Sequence, residues 1–365
     1  MAATISHTSP GRQPQAPRCR LLAGNRKCYG SVRDRSNAHG WADLMPLDEA
    51  TAAYLERAAQ AGARPLHEGT PEQARAAYAL RRALIGPGPE MASVREDMVT
   101  SADGEQFRVR TLVPHGAARA LIVYYHGGGW VLGDIDDFDT LGRTIAARLQ
   151  AAVVLVDYRL APDRRYPAAA DDALAALEWA SSRTAEITGG PVPVLVMGDS
   201  AGGNLAAVTA LRARDAGGPH IDYQVLVYPV TDADFDTSTY AEPEYQLVLS
   251  RESMIWFWDH YVPDGSRRTE PGASPLRAAS LAGLPPAIVL TAEYDPLRDE
   301  GEAYAARLSA DGVPVASRRF AGQMHGFLAL VNILPGSADA ISYVAAELRA
   351  ALPPDASAPP EDTRD

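Results

Sequence analysis

The chain has 365 residues, 46% hydrophobic and 22% charged, proportions that suit a globular protein with a sizeable core and exclude a disordered, collagen-like or disulfide-scaffold chain. Its formal net charge is -12, from 34 Lys and Arg against 46 Asp and Glu, which disfavours polyanionic partners such as nucleic acid or an acidic membrane surface. The longest apolar runs, LIVYY at 121–125 among them, are strand-sized and far short of the roughly 18 residues a membrane-crossing helix needs.

Residues 1–44 form a basic leader, with seven basic residues against two acids, and contain both cysteines, Cys19 and Cys28. The leader lacks the apolar h-region of a secretory signal and is expected to be disordered. Residues 45–365 have no cysteine to form a disulfide or a thiolate metal site, so a reducing, cytoplasmic setting is expected. At Met45 the text changes to MPLDEATAAYLERAAQAG, where Ala53, Leu55 and Ala59 recur at near-helical spacing behind a Pro-Leu-Asp start. The expectation is that the physiological chain starts near Met45, and that removing residues 1–44 leaves activity and melting temperature unchanged. Residues 45–90 read as amino-terminal helices.

From there to residue 350, apolar runs alternate with helical patterns, the signature of a mostly parallel sheet covered on both faces. Eight strands are predicted, at 93–99, 106–113, 121–126, 152–158, 192–198, 223–229, 286–292 and 315–320. Helices are predicted near 137–149, 168–182, 202–215, 298–311 and 337–350, segments rich in Ala, Leu and Arg. Residues 233–270, with the aromatic stretch MIWFWDHY at 254–261, interrupt the alternation and could cap one end of the sheet together with the amino-terminal helices. Tyr240, Tyr245, Trp256, Phe257, Trp258 and Tyr261 read as packing core rather than substrate wall. Residues 351–365 read as a flexible tail.

Chemistry concentrates at the strand ends. GDSAGGN at 198–204 follows an apolar strand and opens an Ala-rich helix, the context that the nucleophile-elbow pattern G-x-S-x-G requires. Reversing from strand to helix within one residue strains Ser200, and Gly198 and Gly202 supply the missing Cβ atoms that let neighbouring backbones approach. HGGGW at 126–130 sits after another strand, where consecutive glycines can turn N–H groups toward an oxyanion. Gly127 and Gly128 are assigned as donors, with Ala201 as the third, and His126 is read as holding the turn. A phosphate-cradling loop would need Lys and Ser or Thr next, whereas Trp130, Val131 and Leu132 follow.

An ordinary serine needs a base, and the base an orienting carboxylate. Of the eight histidines, His7 and His39 lie in the leader, His67 in the amino-terminal helices, and His115, His220 and His260 in turns or the insertion. That leaves His325, in the glycine-flanked loop GQMHGF after the last strand. The carboxylate is sought in EYDPLRDE after the preceding strand. Asp295 is selected because Pro296 favours a rigid turn, while Asp299 and Glu300 read as solvated or helix-N-terminal charges. The order Ser200, Asp295, His325 is that of the α/β-hydrolases.

With these motifs, VDYRLAPDRRYPAAADDA at 156–173, SPLRAASLAGLPPAIVLTAEYDPLRDEGEAYAARL at 274–308 and MHGF at 324–327, the chain resembles the bacterial hormone-sensitive-lipase-like carboxylesterases of the α/β-hydrolase superfamily, in the branch with GDSAGG at the nucleophile. The likeness spans roughly residues 46–350. It implies hydrolysis of short-acyl-chain esters without metal or organic cofactor and a helical cap from residues 45–90 and 233–270. It also implies a catalytic domain over 91–350, supporting roles for Gly129 and Asp199 in their motifs, and a homodimer through the carboxyl-terminal edge strand. Asp157, Tyr158 and Arg159 look like scaffold residues. Trp130 and Gln323 depart from the family's usual Phe and Ile, and either could reshape the pocket. The same constellation also serves amidases, lactonases and deacetylases, and a ligand-binding receptor on this fold is a further alternative, one that the retained His325 disfavours.

Overall fold

The computed structural model describes residues 46–62 and 64–351. The expectations for the leader and for the tail beyond Ala351 lie outside the described residues. Among those described, the chain runs through α1 (Glu49–Gln60), α2 (Pro71–Ala79) and α3 (Arg81–Ile85) before β1 (Ser93–Thr100), β2 (Gln106–Val113) and β3 (Leu121–Tyr125). Helix and strand then alternate through α4 (Asp139–Leu149), β4 (Ala152–Asp157), α5 (Ala168–Ser181), the short α6 (Thr184–Thr188), β5 (Val194–Asp199), α7 (Ala201–Ala216) and β6 (Tyr223–Val227). An insertion holding α8 (Ser238–Ala241) and α9 (Arg251–Tyr261) precedes β7 (Ala287–Tyr294), α10 (Arg298–Ala310), β8 (Val315–Met324) and α11 (Pro335–Ala351).

The eight strands form one sheet in the order β1-β2-β4-β3-β5-β6-β7-β8. The first two pairings in that order, β1 with β2 and β2 with β4, are antiparallel, and the rest are parallel. Alternation along each inner strand feeds two cores. Leu121, Val123 and Tyr125 of β3 pack on the face covered by α5, α7 and α10, while Ile122 and Tyr124 pack on the face covered by α4 and α11. A strand buried on both sides must be apolar throughout, as LIVYY is.

Because β3, β5, β7 and β8 run parallel, the residues that follow them all emerge at one edge of the sheet. Register brings them level. Tyr125 pairs with Gly198, setting the glycine triplet beside the turn at Ser200. Tyr294 pairs with Met324 across a local irregularity, so the next residues, Asp295 and His325, leave their strands side by side. Both strands run past the predicted ends at 292 and 320. Backbone pairing resumes at Tyr294 and Met324 although the apolar alternation has lapsed, across an irregularity that holds Glu293 on one strand and Gly322 and Gln323 on the other.

Residues 46–85 and the insertion meet over this edge. His67 Nδ1 lies 3.2 Å from the Ser253 hydroxyl of α9. Tyr240, Phe257, Trp258 and Tyr261 are buried, and Trp130 stacks on Tyr261 at 4.3 Å with Trp258 edge-on at 5.0 Å. The aromatic stretch is therefore packing core, with Trp130 inside it, while Tyr245 and Trp256 stay half-buried.

Candidate active site

Ser200 joins β5 to α7 with φ 56° and ψ -119°, a region that costs a non-glycine residue about 1–3 kcal/mol. Its N–H donates to the Val227 carbonyl at 2.9 Å, and its own carbonyl accepts from Asn204 and Val230 at 3.0 and 3.2 Å, so the strain is held from both sides. A Cβ on Gly198 would overlap the carbonyl of Gly202, and one on Gly202 would overlap that of Tyr125. The two motif glycines are thus fixed by backbone contact, as the pattern requires.

The hydroxyl of Ser200 lies 3.0 Å from His325 Nε2, and His325 Nδ1 lies 2.8 Å from Asp295 Oδ2. Asp295 is fully buried, and its other oxygen accepts the Leu297 N–H at 2.8 Å, a bond that fixes the carboxylate plane in the turn at Pro296. The ring of Tyr228, itself at φ 35°, packs against the imidazole at 4.8 Å between centroids. The three residues selected from the sequence therefore meet, although 125 positions separate Ser200 from His325.

The glycine triplet needs a correction. Gly127 was assigned as an oxyanion donor, but its N–H donates to Asp199 Oδ1 at 2.9 Å, inside the protein. That oxygen also accepts the Tyr124 hydroxyl at 2.8 Å, and burial pushes the Asp199 carboxyl above its ordinary pKa. The N–H groups of Gly128, Gly129 and Ala201 have no protein acceptor among the described residues. Gly129 was read as motif support only; three successive glycines are alike in the sequence, and the mark that separates them is the carboxylate of Asp199 claiming the first. At φ 60°, Gly129 also abuts the Phe257 ring so closely that a Cβ would fall inside it.

His126 holds the turn as expected. Its Nδ1 lies 2.7 Å from the Gly127 carbonyl, and its ring is sandwiched between Tyr158 and Phe138, with centroids 4.3 and 5.0 Å away. Tyr158 donates its hydroxyl to the His126 carbonyl at 2.7 Å, and Arg159 forks onto the buried Asp172. Asp157 accepts from Arg108 at 3.1 Å, so all three scaffold residues brace the loops.

The acids beyond Pro296 lie in the first turn of α10, as the helix-N-terminal half of their reading has it, but the solvated half needs a correction. Asp299 is not a free surface charge, since it accepts from the Thr239 N–H at 3.2 Å and from the Ser238 hydroxyl. Glu300 is buried: its Oε1 accepts the Thr231 N–H at 2.7 Å, and desolvation raises its pKa well above the usual carboxyl range. The sequence places both at the helix start, where they are, but not their partners, which come from a segment 60–69 residues earlier in the chain.

Comparison with known proteins agrees with this geometry. A family model described as the alpha/beta hydrolase fold matches residues 122–329. Carboxylesterase NlhH of Mycobacterium tuberculosis is 45% identical over 235 residues, 64% of this chain and 74% of that protein. Ethyl acetate hydrolase of Pseudomonas putida is 33% identical over 317 residues, 84% of this chain and 99% of that protein. The crystal structure of a thermostable esterase from Pseudomonas putida ECU1011 superposes with a TM-score of 0.77 at 37% identity, over 85% of this chain and 98% of that one. On the fold, the strand-end site and these relatives together, the chain belongs to the hormone-sensitive-lipase-like carboxylesterases of the α/β-hydrolase superfamily.

Proposed function

We propose that the protein hydrolyses short-acyl-chain esters through a serine acyl-enzyme, with Ser200 as nucleophile, His325 as base and Asp295 as its orienting acid. The observation that carries this is the continuous contact from Ser200 Oγ to His325 Nε2 at 3.0 Å and from His325 Nδ1 to Asp295 at 2.8 Å. An ionised Asp295 accepts from Nδ1–H, which leaves the Nε2 lone pair free to take the serine proton. Attack on the ester carbonyl generates an oxyanion, stabilised by the N–H groups of Gly128, Gly129 and Ala201. His325 then gives its proton to the departing alkoxide, and water repeats the sequence to release the acid.

Residues 46–85 and the insertion act as the cap over the acyl-enzyme. Among the described residues no helix is long and apolar enough to cross a membrane. A cytoplasmic setting and a homodimer joined through the exposed edge strand β8 belong to the same reading; sedimentation velocity tests the second, and a monomer at micromolar concentration removes it. The decisive experiment is hydrolysis of p-nitrophenyl butyrate by the wild type and Ser200→Ala. The variant is expected to lose on the order of 10⁶ in kcat, and retention of wild-type turnover would sink the assignment.

A further inference from the structure

Helix α3 bridges the two loops that carry the site. Arg82 at its start pairs with Asp134 and Asp137, downstream of the glycine triplet, at 2.6 and 2.5 Å. The Ile85 carbonyl at its end accepts from Asn332 Nδ2, downstream of His325, at 2.8 Å. Arg81 opens this helix, half-buried, with its guanidinium stacked over the Tyr78 ring at 4.5 Å. The Tyr78 hydroxyl also lies within hydrogen-bonding influence of it, and the other groups acting on it electrostatically are the side chains of Tyr54 and Tyr228. Its neighbours Arg75 and Arg82 are both tied to carboxylates, as are Arg159 and Arg164 beyond them. Among the described residues, no carboxylate lies within 4 Å of Arg81.

Two polar atoms here are buried without a partner: Arg81 Nε and the Tyr228 hydroxyl. A cation drawn even partly out of water gains from a counter-charge, because lost hydration is expensive. Tyr228 is also the residue whose ring packs on His325. A guanidinium without a counter-charge thus acts on Tyr228, whose own hydroxyl is unpartnered and whose ring packs on His325.

We propose that the site takes esters bearing a free carboxylate, with Arg81 as the counter-ion and Tyr228 as a second donor. The guanidinium face is occupied by Tyr78, which leaves the in-plane N–H edge for a carboxylate. This inference rests on the ester-hydrolase reading and deepens it to a substrate class. The carboxylate belongs either to the alcohol half, as in an O-acylated hydroxy acid, or to the acyl half, as in a half-ester of a dicarboxylic acid; the chemistry that Arg81 recognises is the same.

The test uses two matched pairs and the full-length protein. 4-Acetoxybenzoate against 4-methylphenyl acetate places the charge on the alcohol, and monoethyl glutarate against ethyl pentanoate places it on the acyl chain. In at least one pair, the ratio of kcat/KM for the anionic over the neutral ester is expected to fall about 10- to 100-fold in Arg81→Gln and to recover partly in Arg81→Lys. For the wild type, which needs no variant to fold, the same ratio should fall as ionic strength is raised. If the wild type turns over p-nitrophenyl butyrate while both ratios ignore the Arg81 variants and salt, the carboxylate reading is overturned and the hydrolase reading stands. No turnover of any ester overturns both.

Discussion

Asp199 links the two turns that make the site, receiving the Gly127 N–H and the Tyr124 hydroxyl on one oxygen while its backbone leads into Ser200. Removing the side chain frees the glycine loop, so Asp199→Ala is expected to lower kcat by about 10² to 10³, with little change in KM, the scale of a lost oxyanion donor. Asp199→Asn keeps an acceptor oxygen in place and should recover most of that loss; equal damage in both variants would show that charge, not position, matters. Glu300 offers a test by pH. Its folded-state pKa lies well above that of an ordinary glutamate, so the stability it contributes is complete below the ordinary value and is lost as the pH climbs toward the raised one. Chemical denaturation across that range should therefore find Glu300→Gln gaining on the wild type as the pH rises, and a constant difference would refute the burial argument. These residues also mark where the sequence is silent. Ser200, Asp295 and His325 are legible because their chemistry demands particular residue types in a fixed order, whereas Gly127, Asp299 and Glu300 take their roles from partners that only folding supplies.

At the scale of elements, the start of α1 is fastened to the strand that delivers the histidine. Asp48 Oδ1 caps the helix through the N–H groups of Ala50 and Thr51, both at 3.1 Å, while its Oδ2 accepts from Gln323 Nε2 at 2.7 Å. The Asp48 N–H donates in turn to the Gly322 carbonyl at 3.3 Å. Gln323 thus ties the cap to β8, and it presses on Gly336 of α11 so closely that a Cβ there would collide with its amide. Asp48→Ala removes a cap worth about 1 kcal/mol together with this tie, so the melting temperature should drop by about 2–6 °C in a thermal scan. An unchanged value would mean that α1 is held by its apolar face alone. All eight strands and the five principal helices that cover the sheet were legible from alternation and composition, since each inner strand must satisfy two cores at once. The ends of β7 and β8 were not, because their last residues pair through the backbone while their side chains answer to Asp48, Gly322 and α11.

For the whole molecule, the aromatic cluster under the cap is closed packing and offers no room of its own to a long acyl chain. Trp130, Trp258 and Tyr261 are fully buried against one another and fill the space between the insertion and the sheet. A series of p-nitrophenyl esters should accordingly lose at least about tenfold in kcat/KM between butyrate and palmitate, and a preference for palmitate would overturn the short-chain reading. The net charge of -12 disfavours polyanionic partners, yet the total conceals local differences: Arg81, stacked on Tyr78, has no carboxylate beside it among the described residues, and on the proposal above it offers an anion a cationic partner. Sums over a chain describe its solubility; recognition depends on which charges are left without neighbours.

The 125 positions between Ser200 and His325 have a consequence for biosynthesis. A growing polypeptide carries its nucleophile long before its base has been translated, and the strand that delivers the base is the last to join the sheet. On the proposed triad, hydrolysis thus reports translation beyond His325, and any nonsense mutation ahead of codon 325 yields a silent fragment however well its earlier portion folds.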